Sequence, residues 1–136
     1  MTKKEALQIL AILKAAYPSS YNGMTKEEAT GTVAVWCMQF ADIPAEIVMM
    51  AVHKLISTNK FPPSISEVKN RIQKIHWEAY DIVSSKVYRE AMPEETLKKF
   101  QMIYEATKEY RMAELAEPAT LTMMQNVQRL QLGSGE

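Results

Sequence analysis

The chain has 136 residues, 47% of them apolar, with sixteen basic side chains balanced by sixteen acidic ones. That length supports one compact domain with a core and an additional arm, and falls short of two full domains. With no overall positive field, direct binding to DNA or to an anionic membrane is disfavoured, because phosphate contacts supply most non-specific affinity.

The single cysteine, Cys37, lies in an apolar stripe beside Trp36 and cannot form an internal disulfide, which fits a reducing, cytoplasmic setting. Neither a signal peptide nor a membrane span is expected, since Lys14 interrupts the apolar stretch from Leu7 to Ala16. No segment alternates apolar and polar residues long enough for a strand. The expected fold is therefore all-α: an N-terminal three- to four-helix bundle, then a long helix and one or two C-terminal helices.

The first predicted helix runs from Thr2 to Tyr17. It opens on the capping box Thr2-Lys3-Lys4-Glu5 and carries Leu7, Leu10, Leu13 and Tyr17 on one side, with Ile9, Ile12 and Ala16 on another. So broad an apolar surface predicts packing between two neighbours. Pro18 to Gly23 reads as a loop, with a turn at Asn22-Gly23. A second box, Thr25 to Glu28, starts a helix whose Val33, Trp36, Cys37 and Phe40 share one face.

Asp42 and Pro44 mark the next boundary, and a third helix is expected to about Thr58, with Pro44 in its first turn. Its rows are Ile47, Ala51, Leu55 and Val48, Val52, Ile56. Pro62 and Pro63 then forbid helix and hold the preceding residues extended, with the ring of Phe61 expected to face the helix junction. Ser64 and Glu67 form a third capping box. Phe61, Pro62, Pro63, Ser64 and Glu67 together are a structural corner.

From Ser64 no proline or glycine intervenes until Met92-Pro93. Ile65, Val68, Ile72, Ile75, Ala79 and Ile82 form a heptad seam whose first half closes the bundle and whose second half, around Trp77 and Tyr80, projects toward a partner. Self-association through the seam is the alternative use. Pro93-Glu94-Glu95 starts a further helix with Leu97, Phe100, Tyr104 and Thr107 on one face. Leu121, Met124, Val127 and Leu130 suggest a last short helix before the flexible tail at 133–136. The expected division is a helical N-terminal domain over 1–75, a partner-binding C-terminal extension over 76–132, and that tail.

No catalytic, cofactor-binding or metal-binding residue stands out. The glycines do not form a phosphate loop, and His53 and His76 lack ligands at metal spacing. His53 reads as a helix residue at the core border, and His76 as a polar neighbour of Trp77. Paired glutamates at 27–28 and 94–95 are explained as first-turn residues opposing a helix dipole. An enzyme is not expected. Ten methionines recur at helix borders, where thioethers suit adaptable contacts, and the pair Met123-Met124 lies where there is least core to fill. The partner-binding assignment accordingly falls on Trp77, Tyr80, Met123, Met124, Val127 and Leu130.

The run Lys3-Lys4-Glu5-Ala6 with Leu13 to Pro18, then Ala34-Val35-Trp36, then Ala51 through Lys60-Phe61-Pro62-Pro63-Ser64-Ile65-Ser66-Glu67-Val68, resembles the bacteriophage replicative-helicase loader/inhibitor family over about residues 1 to 75. The resemblance implies an adaptor that binds a hexameric replicative helicase, restrains its ATPase and DNA engagement, and hands it to an origin-bound initiator. It also implies a helical N-terminal domain and a C-terminal part that is mobile alone and contributes to helicase contact. This chain's C-terminal half reads as more helical and more apolar than such a tail. No individual functional residue transfers with the resemblance. A helical DNA-binding protein, or a self-associating structural module of a phage or prophage, is the alternative function.

Overall fold

The computed structural model describes residues 1–111, and among them the secondary structure is helical throughout. In order these are α1 (Lys3–Ala16), α2 (Lys26–Gln39), α3 (Ala45–Ile56), α4 (Ile65–Ser84), α5 (Lys86–Ala91) and α6 (Glu94–Ala106), with single 3₁₀ turns at Pro18–Tyr21 and Lys108–Tyr110. The chain divides into two compact units, Met1–Ile75 and His76–Glu136.

In the first unit the helix starts follow local chemistry. The Thr2 hydroxyl accepts from the Glu5 amide and the Glu5 carboxylate accepts from the Thr2 amide, which completes the expected box. Those contacts hold the Glu5 carboxyl below its usual range. At α2, Thr25 Oγ1 accepts from the Glu28 amide, so Thr25 caps the helix with only this half of the second expected box formed. Gly23 adopts φ +83°, a left-handed conformation that glycine takes at no steric cost, and so closes the turn before α2. Pro44 lies one position earlier than expected. It is the N-cap of α3 rather than a residue of its first turn.

Helix α1 packs against both α2 and α3, as its wide apolar surface predicts. Ala6, Ile9, Leu10 and Leu13 are buried on α1, Val33 and Trp36 on α2, and Ile47, Val48, Ala51 and Val52 on α3. Trp36 and Phe40 meet with ring centroids 5.3 Å apart, and Phe40 is fully buried at the end of α2. From the start of α4, Val68 and Ile72 join this unit's core with no exposed surface. Lys69 Nζ donates to Gln39 Oε1 of α2 at 2.6 Å.

The seam is buried within the chain at Val68, Ile72, Ile75 and Ala79, and half-buried at Ile65 and Ile82. The expected long helix is α4, which ends at Ser84, and Ser85 in extended geometry caps α5 by accepting from the Tyr88 amide. Serine hydroxyls compete for backbone groups in this way, which ends a helix without proline or glycine. His53 is exposed rather than at the core border. Phe61 does not face the helix junction: it is 68% exposed, and the buried residue at the corner is Pro63.

In the second unit Ala79, Ile103 and Tyr110 are buried with two polar residues, His76 and Thr107. Pro93 is the N-cap of α6, one position before the helix it was expected to start, and Glu94 and Glu95 fill the first turn. Met123, Met124, Val127, Leu130, the expected last short helix and the tail at 133–136 lie outside the described residues.

Candidate functional site

The corner between α3 and α4 is braced through side chains brought together from three parts of the sequence. Tyr17 OH, just past α1, donates to the Asn59 carbonyl at 2.9 Å. Asn59 Nδ2 donates to Glu67 Oε2 at 3.1 Å, and Glu67 Oε1 accepts from the Ser64 amide at 3.0 Å. The Glu67 amide donates back to Ser64 Oγ at 3.1 Å, so the predicted box is present. Its carboxylate also holds the loop that enters the corner, which the sequence pattern did not reveal.

Phe61 stands out from this brace with Lys60 Nζ 5.8 Å from its ring centroid. Two consecutive prolines and a capped helix follow it, so the ring is carried on a backbone with little freedom. A large aromatic side chain on a restrained backbone and two-thirds exposed is suited to insertion into an apolar pocket of another protein. Its exposure could not be read from sequence, because apolar type and neighbouring prolines fit a buried ring equally well.

Beside the corner lies a groove of about 400 Å³ lined in part by Lys54 and Leu55 of α3 and by Asn70, Arg71 and Lys74 of α4. These residues were not singled out from sequence. A periodicity count that tracked polar as well as apolar positions could have found Asn70, Arg71 and Lys74, which follow Glu67 at three- and four-residue spacing along α4.

The second unit holds an aromatic cluster. Trp77 and Tyr80, both predicted partner contacts, meet edge to face at 5.6 Å and are 40% and 42% exposed. Tyr104 of α6 lies 5.9 Å from Tyr80 and stacks on His76 at 4.9 Å. Tyr104 was expected only on the apolar face of its helix. The other predicted partner residues, Met123, Met124, Val127 and Leu130, lie outside the described residues.

His76, the expected polar neighbour of Trp77, meets its ring edge to face at 4.9 Å and is 1% exposed. Thr107 Oγ1 lies 2.7 Å from the Ile103 carbonyl and donates its one hydrogen there, so it accepts from His76 Nδ1 at 2.9 Å. Burial holds the imidazole pKa below its ordinary value. The charges of Arg111 and Lys108 act in the same direction, against an opposing contribution from the Tyr104 backbone. The surroundings therefore disfavour the charged imidazole. Among the described residues no group of three His, Cys, Asp or Glu side chains could hold a metal ion, and no helix is long and apolar enough to cross a membrane.

Residues 1–69 match the family model of the phage gene 39 protein, N-terminal domain. The matched segment contains the whole brace from Tyr17 to Glu67. Neither a curated protein nor a solved structure matches the chain.

Proposed function

Because the chain belongs to the family of the phage gene 39 protein N-terminal domain, a helicase-inhibitor and loader family, we propose that it binds a hexameric replicative helicase, restrains its activity and delivers it to an origin-bound initiator. Family membership makes it a helicase-associated phage protein. Within that class it acts as an adaptor and not as a catalyst, in the cytoplasm of the bacterial host.

One observation carries the reading beyond the family: Phe61, in the matched segment, is exposed on a corner held by Tyr17, Asn59 and Glu67. An apolar ring kept in water costs solvation free energy that a partner's pocket recovers, and the fixed backbone lowers the entropy lost on binding. Trp77 and Tyr80 are the proposed contacts of the second unit. Self-association through the seam is disfavoured by the burial of Val68, Ile72, Ile75 and Ala79 within the chain. The balance of sixteen basic and sixteen acidic groups disfavours direct DNA binding.

The test is co-purification of the full chain with a hexameric phage replicative helicase, with and without ATP, together with helicase ATPase rates. The expected result is an ATP-dependent complex with reduced ATPase. Absence of a complex with every nucleotide tried would remove the proposal.

A further inference from the structure

The groove beside the corner has a charge pattern of its own. Lys54 reaches it from the last turns of α3, and Arg71 and Lys74 reach it from one face of α4. Glu67 is the one carboxylate in its lining, and both its oxygens are engaged, one by the Ser64 amide and one by the Asn59 amide group. Three cations therefore face one carboxylate that is turned to capping. Among the described residues Lys54 and Lys74 enter no ion pair. The Met1–Ile75 unit as a whole carries nine basic and six acidic side chains, and three of the nine converge here.

We propose that this groove binds an acidic segment of a partner protein, its carboxylates held by Lys54 and Lys74 in the positive field to which Arg71 adds, and a flanking apolar residue covering Phe61. A concave surface with excess positive charge concentrates anionic ligands. The two lysines act as point charges on flexible stems, and Arg71 adds positive charge to the lining between them. Leu55, half-buried, gives the groove an apolar component, and Thr58 and Asn59 add polar groups on the rim. Asn59 is fixed by Tyr17, so that rim is ordered before a ligand arrives.

A polypeptide suits this surface better than a nucleic acid strand. Single-stranded nucleic acid is held by a track of cations interleaved with several aromatic platforms. In the Met1–Ile75 unit three of the nine cations converge on one groove, and among the large exposed apolar side chains of that unit Phe61 is the one aromatic. An acidic stretch with one apolar neighbour matches that arrangement. The identity of the partner as a helicase rests on the functional reading above; the chemistry of the groove does not.

The test is titration of the isotopically labelled full chain, followed by amide chemical shifts, with a seven-residue peptide of Asp and Glu containing one Leu. Its Asn/Gln counterpart, oligothymidylate and inorganic phosphate are the comparisons. The expected result is shifts centred on Lys54, Asn70, Arg71 and Lys74 with the acidic peptide, weakened by added salt. The double variant Lys54→Glu/Lys74→Glu should bind about tenfold more weakly with an unchanged melting temperature, since both side chains are exposed. Equal binding of the neutral peptide, tighter binding of oligothymidylate or phosphate, or an unaffected double variant would overturn the proposal. Peptide binding that persists while helicase co-purification fails would support the groove and remove only the helicase as its partner.

Discussion

The Tyr17 hydroxyl and the Asn59 carbonyl, 42 positions apart in the chain, are joined by a 2.9 Å hydrogen bond. Through Asn59 the bond is coupled to Glu67 and so to the start of α4. Tyr17→Phe keeps the ring and removes only the donor, leaving a part-buried carbonyl unsatisfied. The expected loss is about 1 kcal/mol of folding stability, measured by urea denaturation. An unchanged midpoint would mean that the bond contributes nothing to the brace.

Phe61→Ala distinguishes a contact from a core residue. A buried phenylalanine would cost about 3 kcal/mol or more on truncation. With 68% of its surface exposed, the substitution is expected to change stability by less than about 0.5 kcal/mol while weakening helicase co-purification. Thermal melts and pull-downs on one preparation separate the two. A large stability loss would contradict the observed exposure.

Ile72 has no exposed surface in the first unit. Ile72→Glu places a carboxylate in an apolar core, at a cost of several kcal/mol that the group reduces only by staying protonated. Loss of cooperative unfolding is expected, seen by circular dichroism. Sedimentation of the variant supplies the contrast: a folded protein whose mass merely halves would identify the seam as an intermolecular interface.

His76 makes stability depend on pH. Its pKa in the folded chain is lowered, chiefly by burial, so the folded state binds fewer protons than the unfolded state and stability rises with pH. The contribution is complete above the unfolded value of about 6.5 and is lost as pH falls below it toward the folded value. Melting temperature is therefore expected to fall from about pH 7 to pH 5, with a shallower decline in His76→Gln. Parallel pH profiles for the two proteins would assign the acid sensitivity elsewhere.

Sequence alone determined the elements whose cause is local. Three capping sites, at Thr2, Thr25 and Ser64, the Asn22-Gly23 turn and the stop at Pro62-Pro63 rest on side chains and backbones within a few residues of one another, and the structure holds all of them. The core rows of α1 to α3 were legible for the same reason, because a helix places residues three and four apart on one face. The family pattern in residues 1–69 is likewise a property of the string. Tertiary structure alone decided which apolar residues stay in water and which polar ones leave it. Nothing near Phe61 indicates that Pro63 fills the corner in its place, and nothing near His76 indicates a hydroxyl 31 positions away to accept its proton. The charged groove is of the same kind: Lys54 and Lys74 belong to different helices, and only the corner between them, braced by Tyr17, brings them to one groove. Exposure and convergence depend on which distant segments pack together, a sum over the whole fold that no short window of residues contains.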